Sequence, residues 1–118
     1  MITKKLAILT LTILLLAPNI ASAKSDGMQI FKITVYSYSE GYGENYKTAS
    51  GELPVPYRTV AVDPSIIKLG TVLYIEGIGE VVATDTGGAV KGNVIDLHIG
   101  YDDTEKFGVK HRKVKVVD

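Results

Sequence analysis

From Gln29 onward the chain is broken into short β-branched runs, each stopped by Gly, Pro or Asn before a long helical period builds up. The runs are QIFKITVYSY at 29–38, RTVAVD at 58–63, TVLYIEG at 71–77, EVVATD at 80–85, NVIDLHI at 93–99 and RKVKVVD at 112–118. In the first, Phe31, Ile33 and Val35 alternate with Lys32, Thr34 and Tyr36, the period of a half-buried strand. The others share its β-branched bias and its turn residues. Six such strands predict an all-β domain, either a closed barrel or a sandwich. Helix is expected only as a turn at Asp63–Ile66 and in DDTEKF, with Asp102 or Asp103 as cap and Gly108 as stop.

What precedes these strands reads as an export signal. MITKK is followed by LAILTLTILLLA, about a dozen apolar residues, and then by Pro18 and the small-x-small triplet Ala21-Ser22-Ala23. The run is short for a bilayer span, so cleavage after Ala23 is expected, with one domain over residues 24–118. No stable membrane span is expected after cleavage. The expected location is therefore secreted.

The chain has no cysteine, so no disulfide framework braces this small exported domain and the core must hold itself together. Loss of Lys4 and Lys5 with the leader leaves 11 basic against 13 acidic residues, a formal charge of 11 − 13 = −2. That balance does not suit a nucleic-acid surface. The two histidines lack zinc spacing and no calcium-loop pattern is present, so neither metal nor other cofactor is expected. The long segment SEGYGENYKTASGELPVPY, 39–57, reads as a functional loop.

Chemistry concentrates around three aspartates. In NVIDLHI, Asn93, Ile95, Leu97 and Ile99 share one strand face, while Val94, Asp96 and His98 share the other. Aspartate is a poor mid-strand residue, which points to a solvent face or a chemical task for Asp96. Asp85 ends a strand and opens a T-G-G turn, and Asp63 precedes Pro64; local turn chemistry explains both equally well. Gly87, Gly88 and Gly92 offer backbone freedom and close approach to a ligand, and Lys91 lies between them as a partner for a carboxylate or a substrate hydroxyl. Seven tyrosines supply rings that can stack on sugars or finish strand faces.

Three fragments in order, TVAVDPSIIKLGT, VVATDTGGAVKG and NVIDLHI, resemble the three-aspartate (3D) domain family, and the likeness runs from about Tyr36 to the end of the chain. The resemblance implies a six-stranded double-psi β-barrel like that of the catalytic part of membrane-bound lytic transglycosylase A and of stationary-phase survival proteins. It implies Asp96, Asp85 and Asp63 as the named acids, with peptidoglycan glycan strands as the partner. The sequence departs from the usual pattern at Lys68 and at His98, which follows the I-D-x segment.

The activity implied is that of a lytic transglycosylase. Asp96 protonates the oxygen between muramic acid and glucosamine units and then, as base, helps the muramic acid C6 hydroxyl close a 1,6-anhydro ring. Asp85 supports it electrostatically, and Thr48 and Lys91 orient the sugar or the acids. Two other readings remain open at the level of sequence. One is an expansin-like protein that binds wall glycan without cutting it, and the other is a dimeric aspartic protease of the D-T-G type.

Overall fold

The computed structural model describes residues 27–37 and 46–117. The expected leader and cleavage point, together with Tyr38 and Tyr42, lie outside the described residues. Within them, each expected run contributes one strand: β1 (Gln29–Tyr36), β2 (Thr59–Val62), β3 (Val72–Ile75), β4 (Gly79–Asp85), β5 (Val94–His98) and β6 (Lys110–Val116). These close into a barrel in the order β1-β5-β2-β4-β3-β6. Closure leaves no strand edge unpaired, which removes the need for edge protection.

Two of the pairings, β1 with β5 and β2 with β4, are parallel, and the other four are antiparallel. That mixture in a closed ring of six is the double-psi β-barrel. β1 is shared between two neighbours. Its first residues pair with β6, from Gln29 opposite Val114 to Ile33 opposite Lys110, and Lys32 to Tyr36 pair with Val94 to His98 of β5.

Alternation along the strands fills the interior. Ile33, Val60, Val62, Leu73, Ile75, Val81, Ala83, Ile95, Leu97 and Val114 all point inward, and Phe31, Ile67 and Ile99 close the ends. This is how the barrel stands without a disulfide: β-branched and leucine side chains suit the pleated inner surface and are taken out of water almost completely.

The expected turn at Asp63 is present, with the Ile66 and Ile67 amides both donating to the Asp63 carbonyl at 2.9 Å. The expected helix is reduced to a 3₁₀ turn at Tyr101–Asp103 followed by a single α-turn, α1 (Thr104–Phe107). Gly108 stops it at φ 65°, a left-handed value that glycine adopts without a Cβ penalty. The expected carboxylate cap does not form. Asp103 already has near-helical φ/ψ of −94° and −13°, whereas a capping residue needs extended backbone to turn its oxygen onto the following amides. Its Oδ2 instead accepts from the Tyr57 hydroxyl at 3.1 Å.

Leu97→Ala, which empties a fully buried position on β5, is expected to cost about 2–5 kcal/mol in denaturant unfolding. Val116→Thr, at an exposed position on β6, is expected to stay within about 0.5 kcal/mol of wild type.

Candidate functional site

The outer face of the barrel carries the acids. Because Ile95 and Leu97 face inward, Asp96 faces out, as the alternation of NVIDLHI requires. Across the sheet it stands opposite Thr34 of β1 on one side and Ala61 of β2 on the other. Ala61 in turn stands opposite Asp85 of β4. Thr34, Asp96, Ala61 and Asp85 therefore form one row across four strands.

The row exists because of an irregularity. β2 and β4 run in register through Val60 opposite Ala83, and then the pairing slips so that Ala61 meets Asp85, with Thr84 skipped. Continued alternation from the inward Val81 and Ala83 would turn Asp85 into the apolar core. The extra residue reverses it onto the outer face, the re-aiming for which bulges are known near sites. Strands lie about 4.8 Å apart, so the Cα atoms of Asp96 and Asp85 are about 10 Å apart with only the Ala61 methyl between them.

The two carboxylates have different surroundings. Asp96 is half-buried, and the Thr34 hydroxyl donates to its Oδ1 at 2.8 Å. Burial raises its pKa; the Thr34 bond opposes this, and the charge of Asp85 adds to it. Asp85 is only 3% exposed. Its Oδ1 accepts from the amides of Ala49 at 3.0 Å and Thr86 at 2.9 Å, and its Oδ2 from the Tyr36 hydroxyl at 3.3 Å. Peptide cleavage by a D-T-G aspartate needs that carboxylate open to a substrate carbonyl. Asp85 is covered, which removes the protease reading.

Tyr36 and His98, opposite each other on β1 and β5, complete the cluster. Their rings pack at 5.3 Å between centroids, tilted by 51°. Burial holds the His98 imidazole below its ordinary 6.5, against the opposing pull of Asp85 and a hydrogen bond with the Tyr36 backbone. At neutral pH it is therefore a neutral, packed ring.

The remaining expected residues divide differently. Asp63 is committed to its own loop: Oδ1 accepts from the Ser65 amide and hydroxyl, and Oδ2 from the Gly92 amide at 2.8 Å. The Gly92 amide, then the two Ser65 groups, hold its carboxyl down at about 2, and neighbouring Lys91 assists. Lys91 thus sits by Asp63. Thr48 is buried and shapes the KTASG turn, its hydroxyl accepting from the Glu52 amide at 3.3 Å, while the next residue, Ala49, reaches Asp85.

Of the three glycines expected to offer backbone freedom, only Gly92 uses it in left-handed backbone, at φ 69°. Gly87 and Gly88 lack a positive φ. At Gly87 an added Cβ would come within 3.0 Å of Val90 Cγ2, a packing reason, whereas Gly88 opens onto free space. Sequence reading did not single out Thr34, Ala61 or the Ala49 amide. Their sequence signal is slight, because each matters only through pairing or turn contacts with residues far along the chain. Among the described residues, no group of three or more His, Asp or Glu side chains is placed to hold a metal. No helix among them is long and apolar enough to cross a membrane.

The profile of the 3D domain matches residues 58–118, more than half of the chain. The chain belongs to the 3D domain family. Within the family's segment lie Asp63, Asp85 and Asp96, while β1, which supplies Thr34 and Tyr36, precedes it. The chain is 48% identical over 62 residues to the cell wall-binding protein YocH of Bacillus subtilis, covering 52% of this chain and 22% of that protein. It is 39% identical over 62 residues to the putative cell wall shaping protein YabE of the same organism, covering 52% of this chain and 15% of that protein. The chain thus spans less than a quarter of the relatives it matches.

Among solved structures, MltA from Escherichia coli, described as a unique lytic transglycosylase fold, superposes with a TM-score of 0.53 at 31% identity, over 60% of this chain and 27% of that one. An expansin of Clavibacter michiganensis superposes with a TM-score of 0.56 at 20% identity, over 77% of this chain and 50% of that one, a likeness of fold.

Asp63, whose native pKa of about 2 lies below the ordinary 3.8, stabilises the 86–93 loop fully above pH 3.8 and loses that contribution as the pH falls through about 2. Asp63→Ala is expected to speed hydrogen exchange selectively at the Gly92 and Ser65 amides at pH 6. Unchanged exchange there would show that the tether does not hold the loop.

Proposed function

We propose that this domain cleaves the glycan strands of peptidoglycan as a lytic transglycosylase, with Asp96 as general acid and then base. The observation that carries this reading is the contrast between the acids: one half-buried carboxyl with a raised pKa, beside a second that is almost fully covered. Ordinary glycosidases need two reachable carboxyl groups, one of them serving water or the sugar directly. Asp85 is too covered for that. A transglycosylase needs only one, because the attacking oxygen is the substrate's own C6 hydroxyl.

Asp96 keeps its proton further up the pH scale than a free aspartate, as a general acid requires. It delivers that proton to the bridging oxygen, and the bond from that oxygen to the muramic acid C1 breaks. The resulting carboxylate accepts the proton of the C6 hydroxyl as that oxygen bonds to C1, closing the 1,6-anhydro ring and restoring the acid. Burial, with a smaller contribution from the charge of Asp85, keeps the proton on Asp96, Thr34 fixes the orientation of its carboxyl, and Asp63 with Lys91 and Gly92 positions the neighbouring loop. Similarity to a lytic transglycosylase and to a cell wall-binding protein supports the choice of wall glycan. The basic start, apolar run and Ala21-Ser22-Ala23 support export, with residues 24–118 as the mature domain.

Asp96→Asn is expected to lower release of anhydro-muropeptides from purified peptidoglycan by about 10²–10⁴-fold, read by mass spectrometry. A folded variant with undiminished release would sink the assignment. The similarity to YocH and to the expansin fold favours a second reading, non-lytic glycan binding, and wall binding by wild type without soluble fragments would select it.

The pH profile tests the assignment independently. Activity that needs protonated Asp96 falls as the pH rises through its native pKa. Thr34→Val, which removes a bond that lowers that pKa, is expected to move the alkaline limb to higher pH, and Asp85→Asn, which removes a raising charge, to lower pH. The raised native pKa also sets a stability trend: the contribution of Asp96 is fully present below pH 3.8 and is lost as the pH rises through the native value. Asp96→Asn is therefore expected to melt no lower than wild type at pH 7.

A further inference from the structure

Tyr57 is the one non-glycine among the described residues with positive φ, at 61°. A bulky residue in left-handed backbone is uncommon, and such strain persists only where surrounding contacts enforce it. Here the contacts come from every side. The Tyr57 amide donates to the His98 carbonyl at 2.7 Å, and the next two amides, of Arg58 and Thr59, both donate to the Val55 carbonyl. The Val55 amide donates back to the Thr59 hydroxyl at 2.8 Å, and Pro54 and Pro56 restrict the backbone on either side of Val55. At the far end of the ring the hydroxyl is fixed to Asp103.

In spite of these constraints the side chain is 47% exposed. Leu53 and Val55, four and two residues earlier on the same segment, are exposed as well, at 58% and 51%. A polar turn serves equally well where only a connection is needed. A rigid exposed aromatic instead offers contact area at little cost in conformational entropy.

Its place relates it to the acid. The Tyr57 amide is bonded to His98, which lies two residues from Asp96 along β5, a separation of roughly 7 Å. At the far end of the ring stands Asp103, an acceptor that suits hydroxyl groups and repels anions. A neutral ligand with apolar ring faces and many hydroxyls fits both features.

We infer that Tyr57 is a stacking platform for a pyranose ring of the glycan, beside the bond presented to Asp96, with Leu53 and Val55 extending the apolar strip. This rests on the reading that the site takes glycan and is independent of whether the glycan is cut. Tyr57 acts on binding and leaves the proton transfer to Asp96.

The test measures affinity for chitohexaose and for insoluble peptidoglycan in the Asp96→Asn background, so that turnover plays no part. Tyr57→Ala is expected to weaken binding about tenfold, and Tyr57→Trp to restore it to within about twofold. Tyr57→Gly removes the ring while suiting the left-handed backbone, so it keeps the fold where the alanine variant fails and is expected to show the same loss. Wild-type affinity in folded Tyr57→Gly overturns the assignment, as does failure of the Asp96→Asn protein to bind either glycan. Ring-dependent binding in a protein whose wild type releases no anhydro products upholds the platform while ending the lytic reading.

Discussion

The slip in pairing between β2 and β4 decides which side of the sheet carries Asp85. Up to Val60 and Ala83 the two strands obey ordinary alternation and bury their apolar residues together. Two residues beyond Ala83, continued alternation would carry a carboxylate into the same apolar core with no hydrogen-bond donor to meet it, at a cost no small barrel can carry. Skipping Thr84 turns Asp85 outward and brings it level with Ala61 and Asp96. The site is thus a consequence of sheet register, and its geometry is as firm as the barrel itself.

Two aspartates in one row then acquire different characters from their neighbours alone. Asp85 collects two backbone amides and a tyrosine hydroxyl, and in return holds the KTASG turn and the end of β4 in place. Among the described residues the Thr34 hydroxyl is the one donor to Asp96, which is half-buried, so desolvation and, after it, the charge two strands away raise its pKa. Small residues matter as much as the acids. A larger side chain than Ala61 between them would either separate the charges or cover Asp96. His98, packed on Tyr36 and kept neutral by burial, adds bulk to this patch without competing as a proton carrier at neutral pH.

The fold was legible because its signals are local. β-branched alternation, glycine and proline breaks, and the Gly108 stop each act within a few residues, and all six strands lie where those signals put them. The outward direction of Asp96 was legible for the same reason. What the sequence could not display is long-range pairing. Thr34 and Asp96 are 62 positions apart and meet only through β1 and β5, and the slip that reverses Asp85 has no local mark in EVVATD. The glycine-rich turn uses its freedom at one position: of Gly87, Gly88 and Gly92, only Gly92 takes left-handed backbone, and it does so where its amide meets Asp63.

Asp63 shows how a motif residue can be spent on holding a loop. Its carboxylate is saturated by Ser65 and Gly92, and the Gly92 amide lies directly before the strand that carries Asp96. With φ at 69°, Gly92 makes the reversal that feeds β5 into its register beside β1 and β2. A one-residue error there would exchange the inner and outer faces of β5, burying Asp96 and exposing Ile95 and Leu97. In the proposed mechanism burial and bonding divide the work among the three aspartates: Asp63 secures the entry of β5, Asp85 adds its charge, and Asp96 carries the proton.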